Sequence, residues 1–247
     1  EEFQLAFNRV AVCQYLSGVK VLSFSIEDSH PHFLLFGSYK VCDSFRRFYE
    51  TISSRSIAHR RGSLDGVNLH CELYEVSDES YLRNVAVYTI IQPTKDGKSV
   101  MPYDYLFGTG SLYFRPKNAV LPWRLQEDVQ ELYPLVRFGE MTYDQRRKIC
   151  GSRTDIPDDW LICNGFILPT NYVDVKHYES IFRTHNCFRV FLSSGRDKYT
   201  VVLDKMAAVR GLMIDDLEAR SLSEKLCMTL FGKKGILCYN CRRIYYE

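Results

Sequence analysis

Apolar and polar positions alternate most clearly over residues 67–76. There Val67, Leu69, Cys71 and Leu73 interleave with Asn68, His70 and Glu72, the period-two pattern of a strand with one buried face. Shorter apolar runs over 19–24 (VKVLSF), 32–37 (HFLLFG), 85–91 (VAVYTII) and 111–115 (SLYFR) predict further strands, divided by the turn-forming stretches SHPH, LDGV and TKDGKS. In SLYFR, Leu112 and Phe114 fall on one face and Tyr113 and Arg115 on the other, which predicts a buried Phe114. Pro116 cannot donate to a ladder and ends the run. One helix interrupts the strands, in KVCDSFRRFYETI, where Val41, Phe45, Phe48 and Ile52 recur at helical spacing. Residues 52–66 are polar, with Arg55, Arg60 and Arg61, and read as a mobile basic loop. Several short strands with one inserted helix predict a small bent sheet or partly closed barrel.

The pattern changes past Trp123. Leu125, Val129 and Leu132 predict a short amphipathic helix that stops before Pro134. The charged, turn-rich stretch 138–159 reads as a boundary, giving a domain over 1–140 and a smaller one over 150–247. In the second, WLICNGFILP reads as extended, and Thr170 is placed to cap a helix whose face is Val175, Tyr178 and Phe182. CFRVFL and YTVVL read as strands. Ser221 and Glu224 form a capping-box pattern before Leu222, Leu226 and Leu230, with Gly232 as the stop and GILCYN as an extended tail. The expected fold class is therefore α+β, mostly β: a bent β-barrel followed by a small α/β module.

Composition narrows the setting more than the function. An aromatic share of 14%, with 17 Tyr and 15 Phe, favours sheet-rich structure with well-filled cores. A net charge of +2 permits contact with nucleic acid without demanding it. The nine cysteines lie mostly in apolar runs, as Cys71, Cys163 and Cys187 do, which suits buried thiols in a reducing compartment. No charged-then-apolar leader is visible, and no apolar run reaches the roughly 18 residues of a membrane span. The chain opens in mid-pattern without Met, as expected of a piece of a longer protein.

Candidate chemistry is sparse. Cys238 and Cys241 form a lone C-x-x-C with no second ligand pair, so neither a metal nor a cofactor is expected. Glu27, Asp28, His30 and His32 lie together around Pro31 and have the residue types of an acid–base pair, but the sequence there also makes an ordinary polar turn. No nucleophile elbow, zinc-protease or kinase pattern occurs, and no catalysis or small-molecule substrate is expected. Positive charge collects in RRKICGSR (146–153) and in Lys233, Lys234, Arg242 and Arg243. A cluster of that kind neutralises phosphates in a salt-dependent way, which makes Lys233, Lys234, Arg242, Arg243, Arg60 and Arg61 the candidate DNA-binding residues.

The stretch GSLYFRPKNA resembles the strand-and-turn signature of bromo-adjacent homology (BAH) domains. The segments LPTNYVDVKHYESIFRTH and SLSEKLCMTLFGKKGILCYNCRRIYYE are similar to the region after the BAH-like module in AT-rich interaction (ARID) family regulators, and the helix before Gly232 resembles BEN domains. The resemblance implies a bent barrel in a nuclear, non-catalytic chromatin module that binds DNA, nucleosomes, histone tails or other chromatin proteins. It also implies a possible aromatic cage for methyl-lysine, for which Tyr103, Tyr105, Tyr113 and Trp123 are the nearby rings. The alternatives are a protein–protein interaction scaffold without nucleic-acid contact, and an enzyme whose site the sequence hides.

Overall fold

A computed structural model describes residues 2–27, 30–61, 71–76, 79–116, 119–126, 131–193 and 243–246. The first element is a helix, α1 (Glu2–Ser17), which the strand-oriented reading of the sequence passed over. Phe7, Val10, Ala11, Val12 and Cys13 are all buried, so its apolar residues are not confined to one stripe. A helix of that kind belongs inside, with neighbours on several sides. It ends at Gly18, whose φ of +69° is the left-handed conformation that glycine adopts without strain.

The strands β1 (Lys20–Ile26) and β2 (Pro31–Phe36) follow as expected and pair antiparallel, with a bulge between Val21 and Ser23. The next helix, α2 (Tyr39–Arg61), is longer than its apolar face predicted. It takes in most of the stretch read as a mobile loop, because Ser53 and Ala58 continue its buried side. Of the alternating run 67–76, residues 67–70 lie outside the described residues, and β3 (Tyr74–Glu75) is a short strand. The sheet order is β1-β2-β7-β3, where β7 (Arg243–Tyr246) runs parallel to both β2 and β3.

VAVYTII is not a strand. It is the middle of α3 (Glu79–Lys95), with Val85, Ala86, Val87, Ile90 and Ile91 all buried. An unbroken apolar run has no period to distinguish strand from helix, and the helical length outside it decides the matter. SLYFR is not a strand either. Gly110–Leu112 is a single 3-10 turn, and Phe114 has a φ of +52°. A β-carbon on Gly110 would lie 2.3 Å from the Pro102 carbonyl oxygen, so only glycine fits that close approach. The chain instead adds to the edge of β1 just upstream. The Ile26 amide donates to Phe107, the Thr109 amide donates to Phe24, and Gly108 bridges Ser25.

The second sheet is a meander of β4 (Leu135–Arg137), β5 (Leu161–Cys163) and β6 (Phe166–Ile167), in that order. Asn164 (φ +47°) and Gly165 (φ +77°) make the two-residue turn between β5 and β6, the geometry that suits the twist of paired strands. Leu125 and Leu132 are not helical; they bridge antiparallel, with residues 127–130 outside the described set. The stretch expected as a boundary holds α4 (Tyr143–Cys150), capped by Thr142 at its start and by left-handed Gly151 at its end. Residues of α5 (Val175–Phe182) match the predicted face, but the cap is Asp174, whose side chain accepts from the His177 amide. CFRVFL is helical, within 185–193, and buries Phe188 against Tyr178 and Phe182. YTVVL, the 221–231 helix and the GILCYN tail lie outside the described residues.

These assignments overturn the mostly-β expectation and the bent barrel. The described residues form five named helices around two open sheets of four and three strands, with no closed barrel among them. One hydrophobic core draws on residues on both sides of 140–150, from Phe7 to Phe188. Asn8 of α1 ties the two together. Its Nδ2 donates to the Ile149 and Gly165 carbonyls at 3.1 and 2.8 Å, and its Oδ1 accepts from the Ile167 amide at 2.9 Å. No helix among the described residues is long and apolar enough to cross a membrane.

Candidate functional site

The alternation of β1 places Ser23, Ser25 and Glu27 on one face, opposite Phe24 and Ile26. His32 pairs with Ser25 across the hairpin and shares that face. Against it lies the C-terminal end of α3, where Tyr88 and Gln92 stand four residues apart, with the exposed Asp96 just past the helix end. The His32 ring meets Tyr88 edge to face at 5.4 Å between centroids, and Lys95 Nζ sits 5.2 Å from the Tyr88 ring centroid. A layer that strand and helix could both have made apolar is therefore polar.

Glu27 is the centre of this layer. Its side chain is 1% exposed, and that of His32 is 3% exposed. The Ser25 hydroxyl donates to Glu27 Oε1 at 3.3 Å, and His32 Nε2 lies 3.9 Å from the same oxygen. Oε2 has no donor in reach among the described residues. Asp96, exposed just past the end of α3, is the carboxylate whose charge acts on this buried carboxyl. Burial pushes the Glu27 carboxyl up to about 8, Asp96 pushes the same way, and Ser25 and Lys98 oppose them. A buried carboxyl shifted in that direction keeps its proton above the pH at which an exposed glutamate loses it. The sequence contained the signal, in DSHPH, but a polar turn and a buried acid–base group look alike until α3 is known to be a helix.

The proposed recognition residues are scattered. Tyr105, Tyr113 and Trp123 are buried, and Tyr103 is exposed. The Tyr105 hydroxyl donates to the Ile26 carbonyl, the Tyr113 hydroxyl to Leu22 at 2.6 Å, and Trp123 Nε1 to Leu106 at 2.8 Å. Tyr113 also stacks on Tyr178. These rings pin the 105–114 segment and β1 into the core and do not open onto a common cage. Phe114, expected to be the buried member of its pair, is only partly buried.

The basic run of α4 is also turned to structural use. Arg146 donates to the Gly139 and Met141 carbonyls, lies 3.5 Å from Asp158, and covers the Phe138 ring. Arg147 donates to Ser152, reaches Asp155 at 3.4 Å, and covers Tyr143. Arg60 and Arg61 are the last two residues of α2, and Arg243 opens β7 between β2 and β3. Lys233, Lys234, Arg242, Cys238 and Cys241 lie outside the described residues. Five of the six described cysteines are buried, and burial pushes the Cys42 and Cys150 thiols up to about 12, so at neutral pH they are packed hydrophobes.

A different surface is open. Leu125, Leu132 and Leu135 are 55%, 38% and 40% exposed, and Val120, five residues before Leu125, is 46% exposed. The bridge sets Leu125 and Leu132 across from one another, and Leu135 begins β4, an outer strand of its sheet. The Arg137 amide is taken by the Glu140 carboxylate at 3.2 Å, which closes the far end of that edge, and no other described residue covers the leucine end. No family model, no curated protein and no solved structure matches the chain.

Proposed function

We propose that the chain is a non-catalytic recognition module for another protein, and that its docking surface is the leucine end of β4. The observation that supports this reading is the pairing of exposed aliphatic side chains, Leu125, Leu132 and Leu135, with the open edge of a strand. A strand edge supplies backbone hydrogen bonds, and flanking apolar side chains supply burial, which together suit an extended apolar segment of a partner. The Arg137–Glu140 contact limits the added strand to a few residues.

Chromatin recognition in the nucleus, implied by the BAH and ARID resemblance, is the competing proposal. In the described residues the α4 arginines are engaged in ion pairs and carbonyl contacts, which argues for a structural use of that charge. The test is a selection from displayed random peptides with the intact chain as bait, run beside titrations with duplex DNA and nucleosomes at low and physiological salt. The proposal predicts recovery of extended peptides with alternating apolar residues. Salt-sensitive binding to DNA or nucleosomes with no peptide recovered would overturn it in favour of the chromatin reading.

A further inference from the structure

We propose that Tyr15 of α1 and Trp160, just before β5, form a further docking surface, which holds a proline-rich segment in the polyproline II conformation. The two rings meet edge to face, 6.1 Å between centroids and 76° between planes. Tyr15 is 49% exposed, and Trp160 is partly exposed although its ring stacks on the buried Tyr172 at 5.8 Å. Trp123 Nε1 donates to Leu106, whereas Trp160 Nε1 meets no acceptor among the described residues. A polyproline II segment makes no internal hydrogen bonds, so its carbonyls stay available to such a donor, and its stiff rings pack on aromatic side chains. Neither ring belongs to the leucine end of β4.

A closely packed turn presents Trp160. Its amide donates to Pro157 at 3.1 Å, and its carbonyl accepts from the Phe138 amide at 2.9 Å. The Gly139 amide donates to Asp158 at 2.9 Å, and a β-carbon on Gly139 would lie 2.9 Å from the Asp158 β-carbon. The turn is therefore pinned to the backbone that follows β4. A ring held in this way has little freedom left to lose when a ligand arrives.

Charge narrows the kind of proline-rich segment. Asp155 and Asp158 are paired with Arg147 and Arg146. Asp159, exposed and adjoining Trp160, has no cation partner among the described residues. The last turn of α1, which carries Tyr15, holds no basic residue, and the carbonyl end of a helix is itself negative. The surface therefore matches a segment with a basic residue beside its prolines.

The experiment is titration of the peptide RPPAPPAPP into the intact chain, read by tryptophan emission and by calorimetry. The chain has two tryptophans and Trp123 is 2% exposed, so a change of emission on binding reports Trp160. Saturable binding is expected, weakened about tenfold or more by Tyr15→Ala and by Trp160→Phe at an unchanged thermal midpoint. Trp160→Phe keeps a ring against Tyr172 and removes the N–H. Asp159→Asn should bind the peptide with and without its arginine equally, where wild type prefers the first. Equal binding when alanine replaces every proline, or an affinity unchanged in Tyr15→Ala, would overturn the proposal. So would no saturable binding at millimolar peptide, or self-association lost in Tyr15→Ala with no peptide bound, which assigns the rings to a second copy. Should Trp160→Phe fail to fold, Tyr15→Ala, at a half-exposed position, decides alone.

Discussion

At the scale of single residues, the pair Tyr113 and Phe114 shows how one dihedral reverses an inference from pattern. In a strand, Phe114 would share the buried face with Leu112. The turn at Gly110 and the positive φ of Phe114 instead send Tyr113 inward, where it meets Leu22, Thr109 and Tyr178. Tyr113→Ala should cost about 3–5 kcal/mol, as expected for a large buried ring, and Phe114→Ala clearly less. Denaturant titration of both variants checks the order, and a larger loss at Phe114 would restore the strand reading. Asn8 makes a second case. It has no distinguishing pattern in the sequence, yet its amide serves three backbone groups on two distant segments. Asn8→Ala leaves those groups without their partner and should cost about 1–3 kcal/mol; a midpoint equal to wild type would contradict that role.

At the scale of elements, what was legible depended on whether a period was present. The β1–β2 hairpin, α2 and α5 each combine an apolar face with a polar one or a clear turn, and the sequence predicts all three. The runs that misled were apolar stretches without a clear period: VAVYTII is buried on nearly every side, while CFRVFL buries only Phe188 and exposes Val190. VAVYTII and CFRVFL have β-branched and aromatic residues that favour strands in isolation, but packing against the core outweighs that preference. The bent barrel failed with them, since it needed both 85–91 and 111–115 as strands. The α1 helix was hidden for the same reason, its apolar residues lying all round. Capping is the finer test at this scale. Asp174→Ala should lower stability by about 1 kcal/mol, because its carboxylate accepts from the first turn of α5. Thr170→Ala, at an exposed position before the helix, should leave the thermal midpoint unchanged. Equal effects at the two positions would move the cap back to Thr170.

At the scale of the whole molecule, three of the four candidate aromatic rings and the α4 arginines act as fasteners. Tyr105, Tyr113 and Trp123 reach backbone carbonyls, and Arg146 and Arg147 hold the loops around α4. The candidate surface rests on residues whose spacing points to a different role. Leu125 and Leu132 read as one face of a helix, and their exposure becomes visible only once they bridge as extended chain beside β4. Burying one leucine side chain at an interface is worth about 1.5–3 kcal/mol, or roughly tenfold to a hundredfold in affinity. The most direct measurement is a calorimetric titration of a display-selected peptide into wild type and Leu132→Asp, with thermal midpoints recorded for both. A loss of affinity of tenfold or more at an unchanged midpoint is the predicted result. Affinity retained within about twofold would place the docking surface elsewhere and contradict the proposed function.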